Sequence, residues 1–370
     1  MKKGKRLVYM DIVRGVGICL VVLGHNPVCL QGGWAYAAIF SFHMPLFYFL
    51  SGYFHKEAAS WKEEVVVRAR KLLLPYFLTA FAYVLLKFTQ NPVFFFQNEL
   101  KPLLFGILWG SGGRGSIDRY MFWPPMWFLT SLFVTQLAYG ALERSIFCKS
   151  RRIIRVITVL CIFGLGQYYL LEGGKGYLNF FGTTLILAEN GLPYNLDIVP
   201  ITLFYYWIGV ESSRYIARHS NASLQFSSVP RLLFVWLLFA LTIYMSWKFV
   251  PQFLAEGVMD LNLRNYGNQI GATVLALLGI YGMLCLGNVL EGSAPTFIQG
   301  ILVYLGQFSL VILVFHHVFQ KEALQRQPDW PGGWLVAFLV GILFPVLAAK
   351  FLMAKNKSLS RIYNIPLAKG

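Results

Sequence analysis

The sequence predicts an all-α polytopic membrane protein, and three observations predict it. The first is apolar continuity. Runs of roughly 20 apolar residues, the length that crosses a bilayer as a helix, recur along the 370 residues. The second is scarcity of charge: only 13% of residues are Asp, Glu, Lys or Arg, and mean hydropathy is +0.57. The third is placement, since Lys and Arg collect between the apolar runs. A transmembrane barrel would show short alternating segments instead.

The elements follow in order. Residues 2–6 are basic, and a first helix is expected at about 8–29. A Gly32-Gly33 turn leads into a second at about 34–54. The basic loop HKEAASWKEEVVVRARK precedes helix 3 at about 72–89, and a polar, aromatic loop at about 90–122 contains GSGGRGSIDRY. Trp123-Pro-Pro opens helix 4 at about 123–142, and the basic stretch ERSIFCKSRRIIR leads to helix 5 at about 154–171. Between residues 172 and 197 the apolar core, Tyr177 to Ala188, is too short to span. A segment of that length is expected to be re-entrant or interfacial, near 177–190. Helices 6 to 10 are expected at about 198–216, 231–249, 267–287, 298–319 and 332–354. Residues 1–370 then form a single transmembrane domain of about ten helices, with no internal repeat and no linker.

Charge tests this topology. With the N-terminus in the cytoplasm and residues 177–190 not spanning, inner loops and tails carry 22 Lys or Arg and outer loops seven. The seven are Lys101, Arg114, Arg119, Lys175, Arg264, Lys321 and Arg326. That split is the positive-inside bias, and it predicts both termini in the cytoplasm. The same placement argues against a nucleic-acid partner, despite a net charge of +16. The opening residues imitate a secretory signal peptide, with Ala35-Tyr36-Ala37 as its cleavage site. Arg14 and His25 interrupt that run and the site lies too far beyond it, so the segment is expected to stay. Five scattered cysteines show no CxxC and no zinc spacing. Cys19, Cys161 and Cys285 fall inside helices and read as small buried apolar residues. No structural disulfide and no metal is expected.

Ionisable groups inside membrane-length runs mark function. Arg14 and His25 are eleven residues apart in helix 1. That spacing is about 20° past three full turns and about 16 Å along the axis, so the two share a face. Asp11 lies one turn before Arg14 and can pair with it. A cation near the inner face can hold a phosphate-bearing donor. A histidine deeper on the same stripe can act on the donor's far end, as general base or covalent relay. The phosphopantetheine arm of a coenzyme A thioester has a similar length. The bland alternative is a helix-end Arg reaching for the interface and a His satisfied within the bundle. His43, in His43-Met44-Pro45, should lie at the depth of His25, where the proline can widen a cavity. Ser51-Gly52 suggests close helix packing. Arg68-Ala69-Arg70-Lys71 at the inner start of helix 3 can bind phosphates, orient the helix or meet anionic lipid. Trp127, Asp197 and the pair His316-His317 fall at the outer face, where they line an acceptor site or merely mark the membrane boundary. No GxSxG, Walker or HExxH sequence is present, and no GxGxxG follows a strand.

These residues resemble acyltransferase family 3, the integral-membrane acyltransferases, and within it the fucose 4-O-acetylases and related exopolysaccharide O-acetyltransferases. The signature is Asp11-x-x-Arg14, ten residues, then His25 in LVVLGH. FSFHMPLFYFLSGYF, RARKLLLPYF, PMWFL and GQFSLVILVFHH continue it. The match is dense over residues 8–78 and patchy afterwards. The family's (R/K)-ten-residue-H motif falls on Arg14 and His25, and its R-x-x-R motif on Arg68 and Lys71. Lysine at the second position keeps the charge without the bidentate fork. The resemblance implies an O-acetyltransferase of the cell inner (cytoplasmic) membrane, with acetyl-CoA as donor co-substrate and a sugar acceptor reached from outside. The acceptor would be a polysaccharide or a lipid-linked precursor. Catalysis would rest on His25 and Arg14, donor binding on Arg14, Arg68 and Lys71, and acceptor binding on His43, Trp127, Asp197 and His316. Acyl transfer is expected to finish within the membrane domain. Two alternatives stand: a polysaccharide transporter or flippase with Arg14 and His25 lining its path, and transfer of another acyl group such as succinyl.

Overall fold

A computed structural model describes residues 7–30, 33–112, 124–171, 177–180, 183–186, 191–218, 228–249, 258–265, 269–326 and 332–365. Trp123, Arg114, Arg119 and Lys175, each given a place by the sequence, lie outside these residues. The described chain is nearly all helical. Its main helices are α1 (Val8–Gly24), α2 (Trp34–Phe40), α3 (His43–Tyr53), α4 (Trp61–Gln90) and α5 (Leu100–Trp109). They continue with α6 (Trp127–Ser145), α7 (Arg152–Leu171), α8 (Val199–Arg218), α9 (Val229–Phe249), α10 (Gln269–Ser293), α11 (Thr296–Gln307), α12 (Ser309–Arg326) and α13 (Gly333–Ala348). Among the described residues five helices are long and apolar enough to cross a membrane, or six if the bent pair α11–α12 counts as one span.

Several expected helices are broken or moved, each for a local reason. The first ends at Gly24 rather than near 29, and a short turn, Pro27–Leu30, follows. Pro27 lacks an N–H and pushes Asn26 out of the helical region. Asn26 then serves the break, accepting from the Val28 N–H at 3.3 Å and donating to the Trp334 carbonyl at 2.7 Å. The second divides at Ser41–Phe42 into α2 and α3, which places Pro45 in the first turn of α3, where no donor is missed. The third begins eleven residues earlier than expected, at Trp61. Ser60 caps it by accepting from the Glu63 N–H at 3.1 Å. The loop after α4 carries helical turns and α5. Tyr177–Phe180 and Thr183–Ile186 pair as two antiparallel strands, and not as a helix. The ninth is two helices bent by 82° at Phe308. Cys161 is exposed rather than buried. It lies on α7, whose outward side also bears Ile157, Leu160 and Leu165.

The chain clusters into two compact units: Met1–Leu50, Glu211–Met259 and Gly267–Gly370, and then Ser51–Val210 with Asp260–Tyr266. In the first, α1 is the centre and packs against α10, α11, α12 and α13. Glycines set the approach. A Cβ on Gly15 would collide with the Leu302 carbonyl, one on Gly306 with the Asp11 carbonyl, and one on Gly287 with Tyr9 and Val13. Without a hydrophobic drive between helices in lipid, close backbone packing of this kind supplies association. The outward faces are apolar: Leu233, Phe234, Leu237 and Leu241 of α9, and Leu335, Leu339 and Leu343 of α13, are exposed. Such continuous apolar surface belongs in a bilayer, not in water.

In the second unit α4 packs on α6, and the Tyr76 hydroxyl donates to the Ile107 carbonyl at 2.8 Å. Gly52 packs on the backbone of Tyr206, the close approach expected of Ser51-Gly52. A buried polar network ties the loops together. Arg264 Nε donates to Asp197 Oδ2 at 2.9 Å, and Arg264 Nη2 to Ser111 Oγ and Asn195 Oδ1. Asn195 Nδ2 faces the Gly110 and Trp127 carbonyls. Tyr194, Asn195 and Arg264 all hold positive φ, at 55°, 59° and 56°. Left-handed backbone costs a non-glycine residue about 1–2 kcal/mol, and here the bonds of the network hold it in place.

Four outcomes are expected. Arg264→Met leaves Asp197 as a buried unpaired charge and should cost about 3–5 kcal/mol, read as a lowered thermal transition of the detergent-solubilised protein. Asp197→Asn combined with Arg264→Met should cost less than Arg264→Met alone, and an equal or larger loss would contradict the pairing. Gly15→Ala should destabilise by about 1–3 kcal/mol, whereas Gly300→Ala, where nothing lies within 4 Å, should be neutral or stabilising by up to about 1 kcal/mol.

Candidate active site

The break after α1 creates the site. Two carbonyls at its end, those of Val22 and Leu23, lose their i+4 partners there, because the Asn26 N–H turns to Leu23 and Pro27 has none. The His25 N–H and the His25 ring both turn back to Val21: the ring Nδ1 lies 2.9 Å from the Val21 carbonyl. Asn26 N–H meets the Leu23 carbonyl. Gln320 Nε2, from α12, donates to the Val22 carbonyl at 2.9 Å. A carbonyl oxygen only accepts, so the His25 nitrogen facing it carries the hydrogen and Nε2 holds the basic lone pair. Arg14 is half-buried on the same helix, three turns back.

Histidines gather around this end. The His316 ring stands 5.1 Å from that of His25, centroid to centroid, at 65°, and the His317 ring 6.3 Å from it at 87°. His316 is fully buried, and its Nδ1 lies 2.9 Å from the carbonyls of Ile312 and Leu313. His43, buried at the start of α3, repeats the arrangement with Nδ1 2.9 Å from the Ile39 carbonyl, within electrostatic reach of His25. So three histidines turn Nδ1 to a carbonyl four residues earlier, and each keeps Nε2 as its acceptor. Among the described residues no group of three or more His, Cys, Asp or Glu is arranged to hold a metal ion.

The remaining sequence-predicted residues lie in the second unit. Arg68 is buried, with its guanidinium taken up by Glu64 Oε1 at 2.8 Å and the Lys56 carbonyl at 2.8 Å. Its Nη2 is also 3.4 Å from His55 Nδ1, and Arg144 reaches Glu64 Oε2 at 3.3 Å. Lys71, one turn on, is exposed. Trp127 is buried and joined through its carbonyl to Asn195; Asp197 is the partner of Arg264. Three participants escaped the sequence reading. Arg264 counts there as one more outer-loop charge, Gln320 is not singled out, and Glu64 is part of a basic loop. The i,i+4 spacing of Glu64 and Arg68 is a legible signal. For Arg264 and Gln320 the sequence offers none, since both partners are distant in the chain.

A family model described as an acyltransferase domain, that of acyltransferase family 3, matches residues 7–350. No curated protein and no solved structure matches the chain. The matched stretch takes in every residue of the two clusters above, and the apolar helices carry it through a membrane. The chain belongs to acyltransferase family 3 and is an integral-membrane acyltransferase.

Proposed function

We propose that the protein is an O-acetyltransferase of the cytoplasmic membrane, moving an acetyl group from cytoplasmic acetyl-CoA to a sugar hydroxyl. The acceptor is a cell-surface polysaccharide or exopolysaccharide, or its lipid-linked precursor, as in the fucose 4-O-acetylase-like subgroup that the sequence resembles. The observation that carries the reading is the α1 stripe: Arg14 half-buried on the helix, and His25 at its broken end with Nδ1 held by the Val21 carbonyl. The two are about 16 Å apart along the axis, the reach of a pantetheine arm. The excess of basic residues on the loops assigned to the inside supports a cytoplasmic N-terminus, hence Arg14 toward the donor's side.

The chemistry follows from the tautomer. His25 Nε2 takes the proton of the sugar hydroxyl as its oxygen attacks the thioester carbonyl. The C–S bond breaks, and the imidazolium returns that proton to the departing thiolate. A covalent route, in which Nε2 first carries the acetyl group, uses the same lone pair. Arg14 and the exposed Lys71 bind donor phosphates. Arg68, held by Glu64 and the Lys56 carbonyl, fixes the local shape of α4 and contributes field rather than a free fork. Among acyl groups acetyl suits the surroundings best, because a succinyl carboxylate would need a cation beside His25.

The test compares base-labile acetate and total glycan on cells of three strains: wild type, deletion and His25→Ala. Acetate should fall by at least about 100-fold in both mutants at unchanged glycan amount. Loss of the glycan itself, with normal acetate on what remains, would sink the reading and point to export. Label left on the protein after removal of radiolabelled acetyl-CoA would select the covalent route.

A further inference from the structure

Two buried acceptors beside His25 have no hydrogen-bond donor among the described residues: His316 Nε2 and Gln320 Oε1. Their identity as acceptors is fixed by their other ends. His316 Nδ1 must carry the ring hydrogen, because it faces the Ile312 and Leu313 carbonyls. Gln320 Nε2 must be the amide nitrogen, because it faces the Val22 carbonyl, and Oε1 is what remains. His316 is 0% exposed and Gln320 2%. They are four residues apart on α12, so they share a face about 6 Å apart along the axis. Buried acceptors without donors are rare, and one explanation is an absent ligand.

The ligand's chemistry follows. A hydroxyl has one hydrogen to donate, so two acceptors call for two hydroxyls. The basic nitrogen of His25, 5.1 Å away between ring centroids, takes the proton of a third. Neither acceptor can donate to a carboxylate or phosphate. We propose that His316 Nε2 and Gln320 Oε1 bind two hydroxyls flanking the one that reacts, so that the acceptor is an uncharged polyhydroxyl ring at the point of acylation. This rests on the acyl-transfer reading above. It goes beyond that reading by adding Gln320 and by specifying the substrate face: hydrogen donors only, no acidic substituent next to the acylated carbon.

The experiment uses the full-length protein in lipid nanodiscs, radiolabelled acetyl-CoA, and unacetylated surface glycan purified from a deletion strain. His316→Phe and Gln320→Met should each raise the KM for glycan about tenfold, the worth of a lost buried hydrogen bond, with the KM for acetyl-CoA changed less than about twofold. His316→Gln should recover part of the loss, since its amide oxygen can replace Nε2. Gln320 also caps α1, so His316→Phe and His316→Gln decide the matter if Gln320→Met does not fold. An unchanged glycan KM in His316→Phe would mean that water meets these acceptors, and the proposal falls. Parallel rises in both KM values with a lowered melting temperature would make His316 structural and equally overturn it. Failure of wild-type protein to label the glycan would overturn acyl transfer itself, and this inference with it.

Discussion

In an apolar surround a backbone carbonyl cannot be left to water, and at the end of α1 that constraint decides the chemistry. Pro27 ends the helix. The Val22 carbonyl then needs a donor, which the Gln320 amide supplies, while the Val21 carbonyl keeps the His25 N–H and takes the His25 ring nitrogen on its second lone pair. Capping the helix therefore does more than finish it. It sets the tautomer of His25 with Nε2 as the acceptor, and draws α12 against the same spot. The repair of a broken helix and the orientation of the His25 imidazole are one arrangement.

That arrangement needs α12 at a fixed height along α1, and the glycines provide it. Gly15 meets Leu302, and Gly306 meets Asp11. The contacts lie four residues apart on each helix and run in opposite directions, so they pin α1 and α11 in a single antiparallel register, one glycine from each side. A slip in either direction would drive a side chain into a carbonyl. The bend of 82° follows within two residues of Gly306. It turns the chain so that α12 climbs beside the end of α1, and His316 arrives 5.1 Å from His25. A straight ninth helix, as its apolar pattern suggests, would carry no such instruction for where its histidines stand.

Much of this was legible in the sequence where the signal is local. Apolar run length and charge placement identify a helical membrane protein, and the spacing of Arg14 and His25 identifies one face of a helix. The breaks were also written there, in Asn26-Pro27 and in Met44-Pro45, but long apolar runs masked them. Ser60-x-x-Glu63 is a capping signal, and it starts α4 eleven residues before the apolar core that marked it. What could not be read is long-range pairing. Nothing near Arg264 announces Asp197, and nothing near Gln320 announces Val22, because a partner tens or hundreds of residues away leaves no periodicity. Cys161 failed for another reason: inside a bilayer a helix can turn a cysteine outward at no cost, so apolar character no longer implies burial.

The two polar clusters differ in a way that separates scaffold from site. Around Asp197, Asn195 and Arg264 the buried donors and acceptors meet one another, with an ion pair at 2.9 Å and amide contacts on both ends of Asn195. A hydrogen-bonded network of that kind is rigid. Its value lies in holding three left-handed residues and joining loops that would otherwise diverge. Around His25 the balance is the reverse: tautomers are fixed, yet His316 and Gln320 keep acceptors open. On the proposed reading an incoming hydroxyl would supply the missing hydrogen, and the site would be completed by the group that it deprotonates.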